Sequence, residues 1–169
     1  MHTENAIFIR GHIDNIFEIA ANIERWPHIL PHYRQVTVFD QSRDGRRKEV
    51  EMCAVRTDFP MPGANFPVKW QSVQLCDPRE HKIIFKHTKG IARGMWVEWN
   101  LKTDPWGRGI RVSIAHDLRY PITAMNGWFS NEVVGKGFVE SIAGKTLATI
   151  RMIVEEEHPA GQNAGNART

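Results

Sequence analysis

The stretch that decides the fold covers residues 95–120 and reads MWVEWNLKTDPWGRGIRVSIAHDLRY. Each half alternates between apolar and polar side chains, which is the period of a β-strand with one buried face. Between the halves, residues 104–109 are rich in Asp, Pro and Gly, which favour turns. The stretch therefore predicts two neighbouring antiparallel strands, at residues 95–102 and 110–120.

Further strands precede this pair. The segment 43–48 holds four basic residues around Asp44 and Gly45, which is typical of a solvated hairpin tip. Asp14 is positioned to cap one short helix, and two prolines bracket a second at 24–31. These helices follow the first strand of a sheet of about seven strands. Strand-like runs bounded by turn residues occur at 6–9, 36–40, 49–56, 68–75 and 82–88.

The last part of the domain follows a different period. Apolar residues recur at mostly helical spacing between 128 and 156, a stretch without proline, which predicts one long amphipathic helix. The complete order predicts an α+β fold in which an antiparallel sheet wraps around this C-terminal helix. Such a sheet encloses volume against its helix, and enclosed volume of this kind is a common ligand site.

Length and composition limit the class of protein. The 169 residues favour a single domain, which we place at residues 1–157. Residues 158–169, rich in Gly, Ala and Asn without a large apolar side chain, predict a disordered tail. The net charge of +3 is too small to indicate a nucleic-acid partner. No apolar run approaches the roughly 18 residues of a membrane span, and two Cys without a disulfide framework predict a reducing, cytoplasmic setting.

The aromatic residues are unevenly chosen. The chain has six Trp and eight Phe but only two Tyr. A buried indole N–H needs a hydrogen-bond partner, so six Trp in one small domain indicate a deep core or an aromatic-lined cavity. Together with the predicted sheet and helix, they favour a cavity that binds a hydrophobic or aromatic small molecule.

Residues 16–27, IFEIAANIERWP, carry a family resemblance that continues through Tyr33, Met95, Trp99 and the terminal helix. The chain resembles the START-like, helix-grip superfamily and, within it, the polyketide cyclase/dehydrase or aromatase/cyclase branch. The resemblance covers about residues 5–155. It implies an apolar pocket in which a poly-β-ketone, delivered by an acyl carrier protein, undergoes aldol closure and dehydration. It implies no metal, nucleotide or other cofactor.

The resemblance also implies a set of pocket residues and one departure. Enzymes of this branch keep an Arg in the strand that holds the pocket Ser, and the matching position here is Gln74. A neutral amide cannot supply the charge that steadies an enolate. The pocket lining carried over from the family comprises Trp26, Leu30, Tyr33, Trp70, Ser72, Met95, Trp99, Ile114 and His116.

Alternation along the strands gives an independent prediction, because residues two apart share one face of a strand. It places Arg56, His87 and His116 on the same faces as apolar residues, and Gln74 on the face of Trp70. We predict three catalytic residues: Arg56 to stabilise an oxyanion, His116 to move protons near neutral pH, and Tyr33. The predicted ligand-binding residues are Trp26, Leu30, Trp70, Ser72, Gln74, His87, Met95, Trp99, Ile114 and Phe138.

Each of these roles has a simpler structural alternative. Arg56 could be solvated at its strand end, and His116 could be a satisfied histidine of the core. Tyr33 could bond only to backbone, and Trp26 could pack beneath the short helices. We expect no metal site, because His28 and His32 lack the partnering Glu of a zinc motif.

Three functions remain open from the sequence. The first is an aromatase/cyclase acting on a polyketide intermediate. The second is a non-catalytic carrier for a quinone, a lipid or another hydrophobic molecule, as in the coenzyme-Q-binding proteins of the same superfamily. The third is an interaction protein that uses the outer sheet face around Trp96, if that face is apolar. One scaffold hosts several of these functions, so the fold alone does not choose between them.

Overall fold

In the computed structural model, residues 2–57, 61–90, 92–118 and 136–157 are described, apart from the side chains of residues 136 and 138. Within these ranges seven strands form one antiparallel sheet in the order β1-β7-β6-β5-β4-β3-β2. The strands are β1 (His2–Ile9), β2 (Tyr33–Gln41), β3 (Arg47–Thr57), β4 (Asn65–Asp77), β5 (Lys82–Gly90), β6 (Met95–Thr103) and β7 (Ile110–Leu118).

Three helices accompany the sheet in the same ranges. Between β1 and β2 lie α1 (Ile13–Ala21), a single 3₁₀ turn (Ile23–Arg25) and α2 (Trp26–Ile29). The long helix α3 (Lys136–Glu157) packs against β1, β7 and α1. The predicted α+β architecture is therefore confirmed. The predicted helical residues 128–135 and the predicted tail at 158–169 lie outside the described residues.

The β6–β7 pair shows how the sequence pattern becomes an inner and an outer face. Four alternate side chains of β6, from Met95 to Leu101, are at most 5% exposed, whereas Trp96 between them is 41% exposed. In the antiparallel register Val97 pairs with His116 and Trp99 pairs with Ile114. The inner face of this hairpin thus brings three apolar side chains and one histidine together beneath the helix.

The start of α1 differs from its prediction. His12 is the N-cap residue and makes no side-chain capping bond, while Asp14 lies in the first turn. The Asp14 carboxylate is 2.8 Å from Nε2 of His81, in the turn before β5. A carboxylate in the first turn still interacts favourably with the helix dipole, so Asp14 stabilises the helix end and joins it to the sheet.

The second helix carries a proline at a position that helices tolerate. Pro27 stands at the first turn of α2, where its missing N–H costs nothing. The turn directs Trp26 into the core, where it is 2% exposed, and its Nε1 donates to the carbonyl of Ile19 at 3.3 Å. One aromatic residue therefore ties the two short helices together and reaches the inner face of the sheet.

A glycine allows β4 and β5 to approach closely at one end of their pairing. The pairing shifts between Gln71 and Ser72, and Gly90 at the end of β5 has a φ of +86°. A Cβ atom at Gly90 would lie 2.6 Å from the carbonyl oxygen of Lys69, so only glycine fits this crossing. Beyond the shift, Ser72 stands opposite His87.

Candidate functional site

A cavity of about 80 Å³ lies between the inner face of the sheet and α3. Eight residues singled out from the sequence lie on its wall: Trp26, Tyr33, Trp70, His87, Met95, Trp99, Ile114 and His116. Their positions agree with the predicted pocket, and their binding and catalytic roles stay predictions. The wall also contains residues that were not in the predicted set: Met52, Val68, Phe85, Ala92, Val97, Val139, Ile142, Ala143 and Thr146.

Strand alternation was a usable signal for several of these additional residues. Val97 lies between Met95 and Trp99 on the same face of β6, and Met52 shares a face with Ala54. The four residues of α3 fall at spacings of three or four, which places them on one side of that helix. What alternation does not supply is the position along a strand at which the cavity begins and ends.

An aromatic cluster forms the floor of the cavity. The ring of Trp26 is centred 4.9 Å from that of Tyr33, 5.8 Å from Trp99 and 6.1 Å from Phe85. Tilted rings at these separations attract each other beyond the area that they bury. Burial raises the pKa of the Tyr33 phenol, so at neutral pH its hydroxyl keeps its proton and can donate a hydrogen bond.

Two polar atoms on this wall are buried and have no hydrogen-bond partner among the described residues. They are Nε1 of Trp70 and Nδ1 of His116. A buried polar group left without a partner costs about 1–3 kcal/mol, so such groups in a cavity wall are candidates for contact with a ligand or a bound water. The indole can only donate, whereas a neutral imidazole nitrogen donates or accepts according to its tautomer.

The second histidine of the wall is held by a serine behind it. Ser72 Oγ lies 2.9 Å from Nδ1 of His87 and 3.2 Å from the carbonyl oxygen of Lys86. When the single hydroxyl proton is donated to that carbonyl, Nδ1–H of His87 donates to Ser72 and Nε2 becomes the acceptor. Ser72 is buried but is not a wall residue, so it positions His87 from behind.

Both histidines are neutral at physiological pH. Burial, with a smaller effect from His116, lowers the pKa of His87 from 6.5 to about 3. Burial lowers the pKa of His116 to about 4. Among the described wall residues there is no Asp, Glu, Lys or Arg. The cavity described here is therefore an apolar, uncharged space with a few neutral hydrogen-bonding groups.

Gln74 and Leu30 are buried elsewhere than on this wall. Gln74 is fully buried and its Nε2 donates to the carbonyl of Ala21 at 2.9 Å, at the end of α1. It lies four residues beyond Trp70 on β4, roughly 13 Å along the strand. Gln74 therefore contacts the end of α1, whereas Trp70 lines the cavity that α3 covers. Leu30 is fully buried in the core after α2.

Arg56 lies beside a second cavity of about 190 Å³. It shares a strand face with Met52 but stands near the end of β3, past the edge of the first cavity, so the predicted placement in the main pocket does not hold. The predicted contact of Phe138 falls on a side chain outside the described residues. Trp96 and Trp106 are exposed, by 41% and 80%, as expected for outer strand and turn positions.

A family model described as "Polyketide cyclase / dehydrase and lipid transport" matches residues 12–140. The chain belongs to this family. Since the match runs from α1 into α3, it includes every described residue that lines the first cavity except Ile142, Ala143 and Thr146.

Solved structures of the helix-grip type share the fold. The Zhui aromatase/cyclase from Streptomyces sp. R1128 superposes with a TM-score of 0.77 at 16% identity, over 97% of this chain and 99% of that one. A START superfamily protein from Mycobacterium smegmatis gives 0.58 at 12% identity, over 92% and 98%. The di-domain ARO/CYC StfQ of the steffimycin pathway gives 0.70 at 16% identity, over 92% and 51%. Identities this low establish the fold alone.

A search of curated proteins finds none that matches this sequence. In the described ranges, no three His, Cys, Asp or Glu side chains come together in a way that could hold a metal ion. No helix in those ranges is both long and apolar enough to cross a membrane.

Proposed function

We propose that this protein binds the neutral aromatic or poly-β-ketone part of an oxygen-bearing compound in the first cavity and promotes its aldol closure and dehydration. The observation that carries the proposal is the pair of buried, unpartnered atoms, Trp70 Nε1 and His116 Nδ1, on an apolar wall. A ligand carbonyl bound to the indole N–H recovers the cost of burying that group. Apolar walls with a few placed polar groups are the usual composition of small-molecule sites.

The volume limits how a ligand enters. The cavity of about 80 Å³ is smaller than the roughly 300–1,000 Å³ of typical ligand sites. A ligand with more than one ring therefore requires wall side chains to move. Met52 and Met95 line the cavity, and methionine changes rotamer more readily than branched or aromatic side chains. We propose that these two residues make room.

The reaction assigned to the site needs a base and an oxygen-binding donor. Neutral His116 removes a proton from the carbon between two ketone groups, which leaves an enolate whose oxygen is bound by Trp70 N–H. The enolate carbon attacks a second carbonyl carbon of the same chain, and the resulting alkoxide takes the proton back from the imidazolium. Loss of a further C–H proton and the hydroxyl group releases one water. No oxidant or reductant is consumed.

One observation favours the alternative of a non-catalytic carrier. Among the described wall residues none is charged, because Gln74 bonds to α1 and Arg56 lies beside the second cavity. Without a cation, enolate stabilisation depends on neutral donors, which are weaker. The same uncharged wall suits a quinone or another neutral hydrophobic ligand. Delivery by an acyl carrier protein belongs to the cyclase proposal and is supported by the family resemblance.

The two functions separate in one experiment. A poly-β-ketone thioester is incubated with the protein, and products one water lighter are followed by liquid chromatography and mass spectrometry. The cyclase proposal predicts a shifted product profile that His116→Gln abolishes and that His28→Gln, an exposed histidine, leaves intact. An unchanged profile together with tight quinone binding in native mass spectrometry refutes catalysis and supports the carrier. Absence of binding to either class overturns both functions.

A further inference from the structure

The second cavity has a chemistry of its own. It is formed by the end of β3 and one side of α3, and its polar lining comprises Arg56, Lys145, Thr57 and Ser141. None of its described lining residues is acidic. Two cations with two hydroxyl groups are the side chains that bind carboxylate and phosphate oxygens.

The helical part of the lining forms a strip along one side of α3. Gly137, Ser141 and Lys145 follow one another at intervals of four, so they lie on one side of α3. A Cβ atom at Gly137 would meet no described atom within 4 Å. Nη1 of Arg56 is buried, which directs part of its guanidinium inward rather than into bulk water.

The two cavities are neighbours. The side chain of Ile142 lines both of them. His32 lies beside the boundary, since its carbonyl accepts from N–H of Val55 at 2.9 Å and its Nε2 is 2.8 Å from Thr146 Oγ1. Val55 lines the second cavity and Thr146 the first. Burial and then the charge of Lys145 lower the pKa of His32 to about 4, so the positive charge acts across this boundary.

We propose that the second cavity binds an anionic group, a carboxylate or a phosphate monoester, carried by the ligand whose apolar body occupies the first cavity. The part concerning the apolar body rests on the proposed function, and the anion site stands on its own lining. A ligand divided in this way between the two cavities also accounts for the small volume of the first one, because the ligand extends past Ile142 instead of fitting entirely inside. The ligand class is thus an amphipathic anion with a neutral aromatic or polycarbonyl body.

Three probes that share one ring and one short chain test the site: phenylpropyl phosphate, phenylbutanoate and phenylpropanol. Their dissociation constants are measured by calorimetry on the full chain. We expect at least one anion to bind about tenfold more tightly than the alcohol, as charge-assisted hydrogen bonds provide. The anion with the larger gain in affinity over the alcohol shows whether the site prefers a phosphate monoester or a carboxylate. Arg56→Gln and Lys145→Gln should each remove most of that advantage and leave the alcohol unchanged, and Arg56→Lys should restore part of it.

Lys102→Gln, an exposed lysine of β6, is the charge-matched control. Equal affinities for anions and alcohol, or the same loss in the control as in Lys145→Gln, overturn the anion site. Inorganic phosphate distinguishes the two proposals. If it binds in a manner that depends on Arg56 and Lys145 while phenylpropanol does not bind, the anion site is upheld and the proposed function fails.

Discussion

The two cavities meet at Ile142 and differ in nearly every chemical property. The first is walled by aromatic and aliphatic side chains with two neutral histidines, and its described wall carries no charge. The second is lined by Arg56, Lys145 and hydroxyl groups. Both use α3, one through Val139 and Ala143, the other through Ser141 and Lys145. A rotation of about 100° per residue is enough for one helix to serve an apolar and a cationic space.

This difference shows that the face on which a strand residue lies does not determine which cavity the residue lines. Strand alternation assigns Arg56 to the inner face together with Met52, and both do line cavities. They line different ones, because four residues along a strand carry a side chain roughly 13 Å. The chemistry of each cavity is therefore set by where the strand passes beneath the helix.

The largest effect should follow loss of the aromatic floor. Trp26→Ala removes a side chain that is 2% exposed and contacts three other rings, so we expect a loss of about 3–5 kcal/mol in the free energy of unfolding. Urea unfolding measures it. Trp106→Ala, at a side chain 80% exposed, should change stability by no more than about 0.5 kcal/mol. A similar small change for Trp26→Ala would contradict the packing described for the first cavity.

Acid should reduce the stability of the fold through the two histidines of the first cavity. The folded-state pKa values of His87 and His116, about 3 and about 4, lie below the ordinary 6.5. Between these values the unfolded chain binds more protons, so stability rises with pH. The contribution is fully present above pH 6.5 and is lost as the pH falls toward 4. Each histidine contributes a slope on the order of 1.4 kcal/mol per pH unit.

Unfolding free energies at several pH values between 4.5 and 7.5 test this account. His116→Gln should reduce the slope by the share of one histidine, whereas His28→Gln, an exposed histidine, should leave it unchanged. A slope that is the same in both variants would show that His116 is not buried in neutral form.

A smaller but more selective effect is expected at Trp70. Trp70→Phe keeps a ring and removes the unpartnered N–H. Affinity for a neutral aromatic ketone should fall about tenfold, the value of one good hydrogen bond, while stability stays equal or rises by up to about 1 kcal/mol. Fluorescence titration and urea unfolding measure the two quantities. Trp96→Phe on the outer face is the matched control, and equal affinity losses in both would remove Trp70 from the ligand site.

The smallest effect concerns the boundary itself. Lys145→Gln removes the charge that helps to lower the pKa of His32, so that pKa should rise from about 4 toward the ordinary 6.5, by less than burial lowers it. An NMR titration of the imidazole resonances measures it, with Lys102→Gln as control. No rise would mean that the charge of the second cavity does not reach across to the first.

Most of the architecture follows from sequence period. The alternation of residues 95–120 and the helical spacing before residue 157 predicted the sheet, its antiparallel pairing and the covering helix, all of which are observed. The prediction that Asp14 caps α1 was wrong, because an aspartate in the first turn of a helix looks the same in sequence as one at the N-cap position. Its bond to His81, 67 residues away, has no local signal.

The candidate site was predictable in composition and less so in extent. Trp26, Trp99 and His116 were recoverable from parity and from the family resemblance, and the wall includes them. The placements of Gln74 and Arg56 differ from expectation, since parity gives the face of a strand and not the position of the helix above it. The second cavity has no sequence motif, because its residues come from the end of β3 and the middle of α3.

An ¹H–¹⁵N NMR titration of the six tryptophan indole groups with a neutral aromatic diketone such as benzoylacetone tests whether the first cavity binds the ligand. We expect the Trp70 indole proton to move downfield as it donates to the ligand carbonyl, while the indole resonances of Trp96 and Trp106 on the outside stay in place. A Trp70 resonance that does not move at saturating ligand, or shifts confined to Trp96 and Trp106, would contradict the assignment of the first cavity as the ligand site.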